Sequence, residues 1–70
     1  MAHSNDAEIA GRVRDALEER GVPIRTLAAD TGIAERTLRR RLAGESHWLT
    51  SELHLIASRL GVPPSDLIGD

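Results

Sequence analysis

The sequence predicts an all-α fold, a compact bundle of five short helices in which the two central helices meet at a glycine corner. Apolar residues recur at spacings of three and four, glycines close these stretches, and no stretch alternates apolar with polar residues as a strand would. A chain of 70 residues without cysteine is long enough for one domain, predicted over residues 6–70, with a core of packed aliphatic side chains.

The first helix is predicted over residues 6–20, after a flexible tail of residues 1–5. Asn5 and Glu8 have the spacing of a capping box, in which side chains bond the free backbone N–H groups of the first turn. A single apolar stripe follows, formed by Ile9, Val13, Ala16 and Leu17. Gly21 can adopt the left-handed conformation that ends such a helix.

The two central helices are predicted over residues 24–31 and 35–43. The small Ala28 allows them to cross closely, and Gly32 tolerates the positive φ that the corner between them requires. Ile33 is expected to fill the angle between the helices. The inward-facing residues of the pair are Ile24, Leu27, Leu38 and Leu42.

The last two helices are predicted over residues 51–60 and 64–68. Thr50 is a suitable N-cap for the fourth helix. The inward stripe of that helix consists of Leu53, Ile56, Ala57 and Leu60. The phrase Gly-Val-Pro occurs at residues 21–23 and again at residues 61–63, which indicates one turn used twice.

Positive charge is concentrated in the middle of the chain, although the net charge is −2. Residues 1–23 carry three arginines against five acidic residues, residues 24–44 carry five against two, and residues 45–70 carry one against four. All nine basic residues are arginines, whose planar guanidinium group suits bidentate contacts. The charge distribution therefore singles out the central helices.

The third helix is predicted to carry arginines on the side away from the core. Leu38 and Leu42 define the inward side of this helix. A rotation of about 100° per residue then places each of the other residues either opposite the leucines or on a flank. Opposite the leucines lie Arg36, Arg40 and Ala43, and on the flanks lie Thr37, Arg39 and Arg41. A solvated face is the usual explanation of such a charge run. Because this run falls on one helix of an otherwise acidic chain, contact with nucleic acid is the better interpretation.

Residues 24–44 resemble the helix-turn-helix of the lambda-repressor and Cro family, also called the XRE family, and the resemblance extends over about residues 8–68. It is carried by Leu27-Ala28, Gly32-Ile33, Leu38 and Gly44, and then by Glu52-Leu53, Ile56-Ala57, Leu60-Gly61-Val62 and Leu67. The order and spacing of these motifs together are more specific than any one of them. The resemblance implies a DNA-binding domain whose third helix enters the major groove.

The resemblance also implies roles for individual residues. The family's base-reading positions fall on Glu35, Arg36, Thr37, Arg39 and Arg40, with Ala43 beside them. Its phosphate-contacting positions fall on Ile24 through its backbone, Arg25, Thr26 and Ser46, with His47 beside them. Arginine pairs with guanine and glutamate accepts from cytosine, so a GC-containing half-site is expected. The chain departs from the family at Ile24, where many members have Gln, and at Ala34, where a capping Ser is common.

Three residues keep two interpretations each. Arg41 lies at the edge of the exposed face, either with its stem against the core or in an ion pair with an acidic residue. Glu35 can read a base or stabilise the helix dipole, and Leu55 is either ordinarily exposed or part of a dimer contact. Trp48, in the loop before the fourth helix, is interpreted as a lid on the core and not as a ligand platform.

The sequence therefore predicts a sequence-specific reader of double-stranded DNA, a transcriptional regulator and repressor of bacterial or phage type, acting as a homodimer or tethered to a further domain. It is expected in the cytoplasm at the nucleoid, since no apolar run approaches the roughly 20 residues that span a bilayer. No catalytic residue, metal site or cofactor is predicted, because no nucleophile is organised with a base and the histidines lack metal-ligand spacing. The alternative is a protein-interaction module, such as an antitoxin, antirepressor or adaptor, with the same fold.

Overall fold

Five α-helices make up the fold over residues 6–69, the part of the chain that the computed structural model describes. They are α1 (Asp6–Arg20), α2 (Ile24–Thr31), α3 (Glu35–Leu42), α4 (Thr50–Leu60) and α5 (Pro64–Ile68). These residues form no strand, so the predicted all-α class is confirmed. The predicted tail and the capping residue Asn5 lie outside the described residues.

The start of α4 differs from the prediction. Thr50 is the first helical residue and not the N-cap, and Leu49 takes the cap position with extended backbone (φ −93°, ψ 139°). The Leu49 N–H donates to Oε1 of Glu52 at 3.3 Å, so this carboxylate forms half of a capping box and no hydroxyl cap is needed. At the other boundary that differs, α3 ends at Leu42 and Ala43 is its cap residue.

The core lies where all five helices meet. Each helix contributes one of the five largest fully buried side chains, which are Val13, Leu27, Leu38, Ile56 and Leu67. No polar or charged residue is classed as buried among the described residues, so the interior is held by the packing of apolar side chains. Trp48 covers it with only 8% of its surface exposed, and its indole N–H donates to the Asp6 carbonyl at 3.3 Å. The prediction of Trp48 as a lid is confirmed.

The repeated Gly-Val-Pro phrase forms the same turn after α1 and after α4. The glycine and valine N–H groups bond carbonyls of the last helical turn, at 3.2 and 2.9 Å after α1 and at 3.3 and 3.0 Å after α4. This pair of bonds is a Schellman motif. In both turns the valine, Val22 or Val62, packs against the core. The prediction of one turn used twice is confirmed.

Three arginines of α1 hold the far ends of other helices. Arg14 donates to the last carbonyl of α3. Arg20 donates to the last carbonyl of α4 at 2.8 Å, and Arg12 donates to the last carbonyl of α5 at 3.3 Å. A cation at a helix C-terminus satisfies a free carbonyl and interacts favourably with the negative end of the helix dipole. The end of α3 is thus fixed by a contact from α1.

Candidate nucleic-acid interface

A sharp corner joins α2 to α3. Gly32 ends α2 with φ 80° and ψ 4°, a left-handed conformation that L side chains rarely adopt, and its N–H donates to the Ala28 carbonyl at 2.9 Å. The Thr31 hydroxyl donates to the Leu27 carbonyl at 2.8 Å. Ile33 packs against the core from the corner itself. The predicted corner at Gly32 is confirmed. Hydrogen bonds to α2 fix the residues before it, and the packing of Ile33 fixes the chain after it.

The helix α3 turns one side to the core and the other to solvent. Leu38 and Leu42 are buried, whereas Arg36, Arg40 and Ala43 are exposed, as the helical wheel predicts. The outer side forms a shallow, open depression lined by Glu35, Arg36, Arg39, Arg40, Ala43 and Glu45. An α-helix with its side chains is about 10–12 Å in diameter, and the major groove of B-DNA is about 12 Å wide. The exposure of the outer side of α3 therefore suits insertion into that groove.

The arginines of the chain divide into two groups by their contacts. Those that donate to carbonyls or carboxylates of the chain are Arg12, Arg14, Arg20, Arg39, Arg41 and Arg59. Arg25, Arg36 and Arg40 are exposed and form no hydrogen bond or ion pair with any residue in the range 6–69. All three lie on the helix-turn-helix, two of them on the outer side of α3. The free guanidinium groups are thus those that the two helices can present to a ligand.

Glu35 and Arg39, both predicted to read bases, are bonded to each other. Oε2 of Glu35 accepts from Nε of Arg39 at 3.0 Å and from Nη2 at 2.8 Å. The side chains of Arg39 and Glu35 are 58% and 40% exposed, so the pair adds little to stability and acts mainly to orient the guanidinium group along α3. Oε1 of Glu35 and Nη1 of Arg39 keep no bond within residues 6–69. Thr37, on the flank of the helix, is half-buried.

The start of α2 has no side-chain cap. Its N-cap residue is Pro23, with φ −67° and ψ 153°, and no side chain bonds the first-turn N–H groups. Ile24 packs against the core, so only its backbone can serve a ligand. Arg25 is exposed and Thr26 is half-buried. A shallow groove at this helix start is lined by Pro23, Ile24, Arg25, Thr26 and Arg39. Arg39 therefore borders the positions predicted to contact phosphate as well as the outer side of α3.

The loop between α3 and α4 brings further predicted residues to the same edge. Arg41 pairs with Glu52 of α4, with 2.7 Å between Nε and Oε1, so the ion-pair interpretation of Arg41 is confirmed. The Ser46 hydroxyl accepts from Arg41 at 3.1 Å and keeps its own proton for another acceptor. His47 is exposed, and its Nδ1 lies 2.5 Å from a carboxylate oxygen of Asp6.

Glu45 belongs to this surface but is not among the residues predicted from the sequence. Gly44, with φ 79°, turns the chain so that the Glu45 N–H bonds the Arg40 carbonyl at 2.9 Å. The carboxylate consequently shares the open depression with Arg36 and Arg40. A signal was available, because the residue after a C-terminal glycine folds back onto the last helical turn in a Schellman motif. That residue is commonly apolar, whereas here it is acidic and exposed.

Neither a membrane-spanning segment nor a metal site is found among residues 6–69. None of the helices there combines the length and apolar character that a bilayer span needs. No three side chains of the types that ligate metals come together in that part of the chain.

The bundle and its exposed basic helix define a class of small helical domains that offer the second helix of a helix-turn-helix to DNA. The profile of the Cro/C1-type helix-turn-helix DNA-binding domain matches residues 12–70, and the chain belongs to this family. The resemblance to the lambda-repressor and Cro family is therefore confirmed. Membership supports a DNA-binding regulator with double-stranded DNA as its partner, and the family is typically non-enzymatic. Neither the curated proteins nor the solved structures contain a match to the chain.

Proposed function

We propose that this chain reads a specific sequence in double-stranded DNA and represses transcription by occupying it, as a regulator of bacterial or phage type. The observation that carries the proposal is the pair Arg36 and Arg40, exposed on α3 and without a partner in residues 6–69. Six of the nine arginines form hydrogen bonds within the chain, so an arginine without such a bond is the exception in this protein. Donors left free on one helix face suit a ligand that supplies acceptors.

Base reading falls to the outer side of α3. Arg36 and Arg40 are four residues apart, which separates their Cβ atoms by about 6 Å, and each guanidinium can donate to both O6 and N7 of a guanine. Glu35 can accept from N4 of a cytosine through Oε1, the oxygen that Arg39 leaves free. Thr37 approaches from the flank. The half-site is therefore expected to contain G·C pairs.

Phosphate contacts are expected on both sides of that helix. At the start of α2, the uncapped backbone N–H groups, beginning at Ile24, lie beside the free Arg25 and the hydroxyl of Thr26. Beyond α3, Ser46 keeps a hydroxyl proton that can reach the facing strand. Contacts of this kind hold the protein on the duplex without reading its sequence, and they make binding weaken as salt rises.

A homodimer on two half-sites fits the size of the domain. Half-sites of a helix-turn-helix dimer lie about 34–36 Å apart, and the Cα extents of the chain are 32 × 24 × 20 Å. Two copies can therefore stand side by side on one face of the duplex. Exclusion of RNA polymerase from an occupied site, in the cytoplasm at the nucleoid, is the simplest mechanism for a domain of this size.

Selection of bound duplexes from a random pool tests the proposal. We expect enrichment of a palindromic, GC-containing consensus. In gel-shift titrations at two salt concentrations, the enriched duplex should bind more tightly than a scrambled duplex of the same composition, and both should weaken at the higher salt. No enrichment and no shift at low salt would overturn the assignment.

An interaction module built on the same fold is the second candidate, and the net charge of −2 favours it. An antitoxin, antirepressor or adaptor would recognise a protein partner through the acidic residues of the segments 1–23 and 45–70. Its signature is capture of one defined partner in the absence of DNA, together with no shift of any duplex in the same titrations. A partner captured by a chain that also binds the enriched duplex would leave the DNA assignment in place.

A further inference from the structure

Arg41 belongs to the basic run of α3 but faces protein instead of solvent. Its side chain is 14% exposed, as is that of Glu52 on α4. Nε and Nη2 of Arg41 lie 2.7 and 3.0 Å from the two carboxylate oxygens of Glu52. Nη1 donates to the Ser46 hydroxyl at 3.1 Å and to the His47 carbonyl. Nη1 and Nη2 therefore donate hydrogen bonds within the chain, whereas Nε is buried beside the carboxylate in an ion pair and forms no hydrogen bond with residues 6–69.

The same carboxylate also holds the loop of residues 43–49, between α3 and α4. Oε1 of Glu52 accepts from the Leu49 N–H at 3.3 Å, at the last residue of that loop. Trp48 anchors the loop from the other side through its bond to the Asp6 carbonyl. The pair of Arg41 and Glu52 consequently joins the end of α3, the loop and the start of α4.

The energetics of this pair favour a role in geometry. Two charges largely removed from water lose hydration, and their attraction offsets that loss only when the contact is well formed. The contact between Arg41 and Glu52 meets that condition only in part, because Nη2 donates a hydrogen bond to the carboxylate whereas Nε lies 2.7 Å from it without forming one, so the pair contributes little net stability. Since well-packed apolar residues often stabilise a fold as well as such a pair does, the directional contact is what the pair supplies in particular.

We propose that Arg41 and Glu52 are positioning residues for DNA binding. Their contact holds the loop against the end of α3, so that Ser46 meets a phosphate in the same register in which Arg36 and Arg40 meet bases. This inference rests on the proposed function, and it assigns Arg41 no contact with DNA, although it stands within the arginine run.

Glu52→Gln separates positioning from charge, because the two effects have opposite signs. Removing an acidic charge near the DNA-facing side raises affinity for every duplex if charge alone matters. Weaker positioning instead lowers affinity for the enriched duplex. We expect a loss of about two- to thirtyfold on it, the range for residues that act without touching the ligand, and a smaller change on the scrambled duplex, where no base contacts have to be kept in register with the phosphate contact. Emission of Trp48, the single tryptophan, should shift to longer wavelength as the loop loosens.

Arg41→Met tests the same contact from the other side. We expect a similar loss on the enriched duplex and an unchanged slope of log affinity against log salt, whereas loss of a phosphate contact would reduce that slope by about one. The matched control is Arg59→Met, which removes a different interhelical ion pair, to Asp30 of α2, and should leave the emission of Trp48 unchanged. The charge-swapped variant, Arg41→Glu with Glu52→Arg, should recover part of the affinity and the emission.

Two outcomes would overturn the inference. One is stronger binding of both duplexes by Glu52→Gln, and the other is a salt slope reduced by about one in Arg41→Met with unchanged Trp48 emission. If circular dichroism shows that Arg41→Met does not fold, Glu52→Gln still decides, because glutamine keeps the size of the side chain and one acceptor oxygen, which can still serve the Leu49 N–H. Failure of the unmodified chain to prefer the enriched duplex would count against the proposed function, and it is seen before any variant is made.

Discussion

Three arginines on α1 and three on the helix-turn-helix use the same side chain in opposite ways. Those on α1 are Arg12, Arg14 and Arg20, and they donate to the last carbonyls of α5, α3 and α4. Those on the helix-turn-helix are Arg25, Arg36 and Arg40, and they are exposed without a bond to any part of the chain from residue 6 to residue 69. The first group ties helices together, and the second stays available to a ligand.

The difference teaches that neither net charge nor the length of a basic run locates a DNA-binding surface. The chain is acidic overall, and α3 itself carries arginines of three kinds. Arg40 has no partner among residues 6–69, Arg39 is held by a partly exposed carboxylate on the same helix, and Arg41 is held by a largely buried carboxylate on another helix. The partner that each guanidinium finds separates binding residues from structural ones.

The largest effect is expected from Arg40→Ala, in the free group. Affinity for the enriched duplex should fall by roughly 1–3 kcal/mol, with a much smaller change on the scrambled duplex, because a bidentate base contact is lost. The free energy of unfolding should change by less than about 0.5 kcal/mol, since the side chain has no partner in the described residues. Gel-shift titration and urea unfolding measure the two quantities. Equal losses on both duplexes would remove the base-reading role.

Arg25 belongs to the same group of unbonded arginines as Arg40, but Arg25→Ala should affect DNA binding differently from Arg40→Ala. A phosphate contact carries no sequence information, so affinity should fall alike on both duplexes, and the salt slope should decrease by about one. Titration of both duplexes across a salt series measures this. A loss confined to the enriched duplex would move Arg25 from phosphate contact to base reading.

Arg14→Met should lower the free energy of unfolding and leave DNA binding unchanged. Methionine keeps a long apolar stem but loses the donor to the last carbonyl of α3 and the charge at that helix end. The free energy of unfolding should fall by about 1 kcal/mol, measured by urea unfolding at constant pH. The salt slope should not change. An unchanged unfolding free energy together with a lower slope would place Arg14 in the DNA-binding group and break the comparison.

Arg59→Met should have the smallest effect. Arg59 joins α4 to Asp30 of α2, but more than a third of each side chain is exposed to solvent. Ion pairs of this kind contribute about 0–1 kcal/mol, and raised salt weakens them further. Thermal unfolding at low and high salt measures the contribution. A salt-independent loss well above that range would show that the contact also organises the packing of α2 on α4.

Most of the fold could be predicted because it depends on short-range rules. The repeated apolar spacing located the longer helices, the Pro63-Pro64 corner placed the short α5, and a left-handed glycine such as Gly32 ends a helix through the conformation of one residue. The N-cap of α4 was predicted wrongly at Thr50. The prediction looked for a residue with a hydroxyl side chain, whereas the helix start is capped by the carboxylate of Glu52, which accepts from the Leu49 N–H. The acidic Glu45 was missed for a similar reason, since its position follows from the turn after α3.

By itself, the sequence determined the helical class, the corner at Gly32 and the helix that carries the exposed arginines, because periodicity and glycine conformation act within a few residues. Only the tertiary structure decided which arginines are free. Arg14 finds its acceptor 28 residues away and Arg41 finds Glu52 11 residues away, at helix ends that meet only when the bundle packs. A side chain's availability depends on what surrounds it in space, and the linear pattern of a basic run does not contain that information.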